Sequence, residues 1–138
     1  MTYYFSTASR MRLETCDERL QAVCERVLET IDCSIIDGHR PKERQNEAFR
    51  TDKSQVDWPD GKHNSTPSMA VDCAAYPIDW KDRERATLFA GFVLATALAI
   101  AHERGERWRL RWGGDWDTDW KVNDNHFDDL WHFEIVEG

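Results

Sequence analysis

The chain has 138 residues, enough for one domain with a core of its own and too few for two ordinary ones. Its 18 basic and 26 acidic residues give a formal net charge of -8, which disfavours a nucleic-acid partner held through phosphates. Four cysteines, Cys16, Cys24, Cys33 and Cys73, show no C-x-x-C spacing, and the chain is rich enough in large apolar residues to pack without disulfides, so they read as reduced, buried thiols.

The first residues have no basic start followed by an apolar run, so no export signal is expected and the chain should be held in the cytoplasm. A helix is expected from Thr15, where Thr15-Cys16-Asp17-Glu18 reads as a capping box and Leu20, Val23, Val27 and Ile31 recur at helical spacing. Residues 33–37 read as a strand. The turn Gly38-His39-Arg40 follows, then a second helix with Pro41 at its first position. Residues 51–66 are polar and turn-rich, a surface loop that would wall a substrate groove.

A strand over residues 69–74 precedes a long helix from about Lys81 to Arg104, ending near Gly105. Its uncharged stretch, residues 86–101, is 16 long and falls short of the roughly 20 needed to span a bilayer, which predicts a helix buried on most sides and no stable membrane association. Residues 110–112 and 131–136 supply the last strands. Together these elements predict an α+β fold: one domain over residues 1–138, with a small, mainly antiparallel sheet packed against helices.

Chemistry concentrates in two distant segments, residues 61–77 and 128–135. Asp72 sits inside the apolar run Ser68-Met69-Ala70-Val71-Asp72-Cys73-Ala74, where a carboxylate without a partner or a metal is costly to bury. In Trp131-His132-Phe133-Glu134-Ile135-Val136, strand alternation puts His132 and Glu134 on one face. With His63, this makes two imidazoles and one carboxylate, a ligand set that catalytic zinc uses while keeping a position for water. The same alternation turns Cys73 away from Asp72, against its being a ligand. Asp129, three residues before His132, is the expected base, with Glu134 as alternative base or as a carboxylate orienting a ligand. Arg40 offers a rigid fork of donors suited to a substrate carboxylate or an oxyanion.

His126 is the rival to His132, but lies in the polar run Val122-Asn123-Asp124-Asn125. His39 and His102 read as surface or satisfied residues. Asp115, Asp117 and Asp119 alternate as in a calcium loop, but Trp120 replaces the required Gly and His126 the twelfth-position Glu. A solvated acidic loop beside the cleft is therefore expected.

The order of these motifs resembles the zinc peptidases that include D-alanyl-D-alanine carboxypeptidases and dipeptidases and the L-alanyl-D-glutamate endopeptidases of phage endolysins. Their pattern is a G-x-R-x4-Q-like stretch, an S-x-H-x6-D segment and a later E/D-x-x-H. Here stand Gly38-His39-Arg40-Pro41-Lys42-Glu43-Arg44-Gln45, His63 through Asp72, Arg111-Trp112-Gly113-Gly114-Asp115-Trp116 and Asp129-Leu130-Trp131-His132. Two departures stand out. The His63-to-Asp72 interval is two residues longer than usual, with a Thr66-Pro67-Ser68 turn in place of the family's Gly, and Gly61 stands where the family has Ser.

The resemblance implies one Zn2+ per chain in a surface cleft, held by His63, Asp72 and His132, with Asp129 and Arg40 catalytic. It implies the bacterial peptidoglycan stem peptide as substrate, cut between L-Ala and D-Glu. A phage endolysin of this kind would be a monomer, held in the host cytoplasm until another protein permeabilises the membrane. A D-Ala-D-Ala carboxypeptidase, a wall-peptide-binding module without hydrolysis and an acidic nucleic-acid mimic remain the alternatives.

Overall fold

The computed structural model describes residues 2–122 and 127–138. Helix α1 (Thr7–Leu13) is followed by α2 (Glu18–Leu28), β1 (Cys33–Asp37) and α3 (Lys42–Arg50). A single 3-10 turn at Lys62–Asn64 leads to β2 (Ala70–Ala75), then α4 (Arg83–Arg104), β3 (Trp108–Gly113) and β4 (Asp129–Glu137). The strands form one antiparallel sheet in the order β1-β2-β4-β3, the α+β architecture expected.

Helix α1 has no counterpart in the sequence reading, because seven residues are too few to show a helical period. Ser6 caps it by accepting from the Ser9 amide, and the helix then covers the open edge of β1. Ile35 N–H donates to Ser9 Oγ (3.0 Å), and Arg12 Nη1 donates to the Ile35 carbonyl (3.1 Å). These side chains take the place of a fifth strand. Helix α2 starts three residues later than the expected capping box. Asp17 is its cap, accepting from the Arg19 amide, and Thr15 Oγ1 instead donates to the Arg12 carbonyl at the end of α1. Pro41 is likewise the cap of α3 rather than its first residue.

Leu20, Val23 and Val27 of α2 pack with Ile35, Val71, Cys73, Phe133 and Ile135 in one continuous core. All four cysteines are free and buried there, and burial pushes the Cys16 thiol up to about 12. Helix α4 is long and apolar enough to cross a membrane by length and composition, yet it lies against β3, α2 and β4. The expectation of burial on most sides does not hold, since Leu88 is 79% and Leu98 52% exposed. Gly105, left-handed at φ 66, ends the helix as the sequence indicates.

Phe133 is wholly buried and meets the edge of Phe89 at 6.3 Å between ring centroids. Phe133→Ala is therefore expected to cost about 3–5 kcal/mol in urea unfolding, against within ~0.5 kcal/mol for Leu88→Ala on the exposed face of α4.

Candidate metal centre

Strand pairing builds two-thirds of the site. Asp72 of β2 lies directly opposite His132 of β4, so both side chains rise from the same face of the sheet. His63 arrives from the 3-10 turn, which is stitched to the segment after β1. Arg40 N–H donates to the His63 carbonyl (2.7 Å), and Asn64 Nδ2 donates to the Arg40 carbonyl (3.0 Å). The longer interval before Asp72 does not disturb this arrangement. Within it, buried Ser68 is anchored to the segment before α2, its N–H meeting the Thr15 carbonyl and its carbonyl the Asp17 N–H. A side chain at Gly61 would press on Asn64, since a Cβ there would lie 2.7 Å from Asn64 Oδ1, the atom that accepts from the Gly61 N–H.

The three donor atoms form an equilateral triangle. His63 Nε2, His132 Nδ1 and Asp72 Oδ1 are each 3.2 Å from the other two. Tetrahedral ligands about 2.0–2.1 Å from a zinc-sized ion are roughly 3.3–3.4 Å apart, so the donors already stand at the separation such an ion requires. Each imidazole has its other nitrogen engaged. His63 Nδ1–H donates to the Gly38 carbonyl (2.7 Å) and His132 Nε2–H to Glu134 Oε1 (2.8 Å), which turns both remaining lone pairs toward the centre.

Electrostatics favour positive charge at this point. Although burial opposes it, hydrogen bonds to the Asp72 and Glu134 carboxylates push the His132 imidazole up to about 10. Burial also works against the Asp72 carboxylate, but His63 and His132 outweigh it and hold the group well below the usual range. A cation among these donors is thus strongly stabilised, and the group His63, Asp72 and His132 can hold a metal ion.

The other expected residues surround this triangle. Asp129 Oδ2 stands 3.9 Å from His132 Nδ1, beyond hydrogen-bond length, and burial with the nearby Asp72 charge raises its carboxyl to about 6. A regular strand would have turned Asp129 to the core with Trp131 and Phe133. The β3–β4 register shifts between Trp112 and Gly113, so Gly113 pairs with Asp129 while Trp112 pairs with Phe133. That irregularity brings Asp129 to the His132 face. It needs glycine, because a Cβ on Gly113 would lie 2.1 Å from the Asp129 carbonyl oxygen.

Arg40 is mostly buried, unlike a surface cation at a helix start. Its Nε donates to Asp37 Oδ2 (3.1 Å), its Nη1 to Gln45 Oε1 (3.0 Å), and its Nη2 lies 3.5 Å from Asp72 Oδ2. Glu134 is 4% exposed with both oxygens engaged, the second by Arg111 Nη2 at 2.6 Å. Burial works against its charge, but these partners bring the carboxyl down to about 2.

A cleft of about 530 Å³ opens over the triangle, walled on one side by residues 53–56 and 60–62 and on the other by Trp116 and Asp117. The first wall belongs to the polar loop over residues 51–66, where a groove wall was expected, while Trp112 belongs to the core and Trp116 lines the cleft. Asp37, Gln45, Asn64 and Arg111 carry no signal of their own in the sequence beyond standing in the quoted motifs or beside the ligands. In the acidic loop, Asp115 is buried rather than solvated, its carboxylate accepting from the Asp119 and Trp120 amides (both 3.1 Å). His39 is satisfied by the Ser65 carbonyl, at 3.0 Å from its Nδ1. His126, the rival ligand, lies outside the described residues.

Comparison with known proteins decides the family. The pattern of the family described as phage L-alanyl-D-glutamate peptidase matches residues 1–136. The chain belongs to this family. A solved structure, the L-Ala D-Glu endopeptidase ChiX of Serratia marcescens, is similar at a TM-score of 0.69 and 26% identity, covering 96% of this chain and 90% of that one. No curated protein matches the chain. For this phage peptidase, the triangle predicts uptake of about one divalent transition-metal ion per chain. Elemental analysis after dialysis against the ion should show that content lowered in His63→Ala, Asp72→Ala and His132→Ala. Full uptake by all three would place the ion elsewhere.

Proposed function

We propose that this chain is a zinc-dependent peptidoglycan endopeptidase that hydrolyses the bond between L-alanine and D-glutamate of the stem peptide. The observation that carries this reading is open space on both sides of the triangle. Beyond the 530 Å³ cleft, a second depression of about 400 Å³ is lined by Ile36, Asp72, Trp80, Arg83, Asp128 and Asp129. Asp129 borders both. An endopeptidase must seat chain on each side of the scissile bond, whereas a carboxypeptidase closes one end around a terminal carboxylate. The bond itself follows the family and the Serratia enzyme, both named for it.

Two imidazoles and one carboxylate suit zinc, and His63, Asp72 and His132 would hold it. Bound there, zinc supplies Lewis acidity and a water acidic enough to ionise near neutral pH. The chain's own groups do the rest. Asp129 accepts the proton of the attacking water and returns one to the leaving amine; its raised pKa suits both tasks. Arg40, held rigid by Asp37 and Gln45, faces the cleft with a fixed positive charge for the developing oxyanion. Glu134 orients His132 in this reading and is not the base, because its bonds to His132 and Arg111 hold it in the scaffold and bring its carboxyl down to about 2, too weakly basic for the task. In the host, the chain works as a monomer on the wall once another protein has breached the membrane.

Asp129→Asn is expected to keep its zinc while wall hydrolysis falls by about 100-fold or more. Glu134→Gln is expected to weaken zinc binding by roughly 10–100-fold, with activity recovering in excess metal. The reverse pattern would exchange the two roles. Mass spectrometry of digested peptidoglycan tests the bond: new amino-terminal glutamate supports the endopeptidase, and release of D-alanine alone overturns it.

A further inference from the structure

Arg111 holds unused recognition capacity inside the cleft. A guanidinium carries five N–H donors in a plane. Nη2 is committed to Glu134 Oε2 at 2.6 Å and Nε is buried away from solvent, so the N–H groups that can meet a ligand are those at the exposed end of the guanidinium. The group is fixed in place, with its carbon 5.8 Å from the centre of the Trp116 ring, and Trp116 is itself packed 5.4 Å from the His132 ring. Its side chain is 35% exposed and lines the same cleft as His63 and His132. The other cations there differ. Arg40 is spent on Asp37, Gln45 and Asp72, and Lys53 and Lys62 are solvent-exposed ammonium groups without a planar fork.

We infer that Arg111 is a specificity-determining residue that binds the free carboxylate of the D-glutamyl residue beside the scissile bond. This rests on the reading that the L-Ala–D-Glu bond is the one cut. Glutamate has two carboxyl groups. Whichever of them continues the stem, the other is left free and is anionic at neutral pH unless it is amidated. A carboxylate accepts parallel N–H bonds from a guanidinium, whereas a carboxamide brings no charge and turns its own N–H group toward the donors. The enzyme therefore prefers stems with the free acid to stems in which that carboxyl is amidated. Arg111 reaches His132 through Glu134 and through the Trp116 ring rather than directly, so carboxylate binding is separable from holding the metal.

The test uses the zinc-loaded enzyme and two synthetic stem peptides containing L-Ala-D-Glu, identical except that the free carboxyl of glutamate is an acid in one and a carboxamide in the other. The wild type is expected to show a kcat/KM about 10- to 100-fold higher on the acid, the scale of losing a charged partner at a site built for it. In Arg111→Gln this ratio should fall toward 1, mainly through the acid substrate. Damage to the triangle would lower both rates together and leave the ratio unchanged. A wild-type ratio near 1 overturns the inference, as does a ratio that survives Arg111→Gln, which would assign recognition to Lys53 or Lys62. If Arg111→Gln does not fold, Arg111→Lys is read instead. It should lose several-fold of the ratio with its fork, and full retention overturns the inference. Wild-type enzyme that cuts neither peptide overturns the bond assignment and the inference together, while cleavage of both at equal rates overturns the inference alone.

Discussion

Everything at this site depends on the pairing of Asp72 with His132 across β2 and β4. Directly opposed residues on an antiparallel pair hold their side chains a few ångströms apart on one face, so a carboxylate and an imidazole meet without a long loop to position them. Because side chains alternate, a slip of one residue would turn one ligand into the core and bring an apolar neighbour to the surface. The core prevents that slip. Val71 and Cys73 flank Asp72, and Trp131 and Phe133 flank His132, all buried on the opposite face. Hydrophobic packing therefore sets the register that makes the ligand triangle.

The third member of the triangle, His63, and the neighbouring carboxylate, Asp129, are placed by departures from regular structure. His63 sits in a single 3-10 turn, its carbonyl accepting from the Arg40 N–H and its ring donating to the Gly38 carbonyl, so its position is tied to the end of β1. Asp129 reaches the His132 face only because the ladder is irregular at Gly113. Bulges of this kind often stand where a strand must aim a side chain that its parity would hide. The β1–β2 ladder has a similar shift between Ile35 and Asp37, which sets Asp37 beside Asp72. Two neighbouring carboxylates would repel each other, and the Arg40 guanidinium between them removes that cost.

Charge is organised around the triangle in pairs. Arg40 answers Asp37 and Asp72 on the β1 side, and Arg111 answers Glu134 on the β3 side. The two guanidinium groups thus bracket the cleft, one with each of its three nitrogens facing Asp37, Gln45 or Asp72 and one hydrogen-bonded to Glu134. The net charge of -8 is in this sense uninformative about the substrate. What a ligand in the cleft meets is the local charge of these fixed cations, not the average field of the molecule.

The sequence by itself determined the fold class and pointed to the three side chains, His63, Asp72 and His132, that the fold brings together as a group able to hold a metal ion. An Asp inside an apolar strand, a His on an alternating strand and a Gly after a long apolar helix each have local physical causes that a one-dimensional pattern displays. It determined neither the short helix that seals β1 nor where α2 begins, because competing caps at Thr15 and Asp17 are separated only by tertiary contacts. The roles of Asp129 and Glu134 were open for the same reason. Parity would have hidden Asp129 and exposed Glu134 to the site. Only the register shift at Gly113 and the partners of Glu134 on His132 and Arg111, contacts between residues far apart in the chain, separate a carboxylate beside the cleft from one already committed to the scaffold.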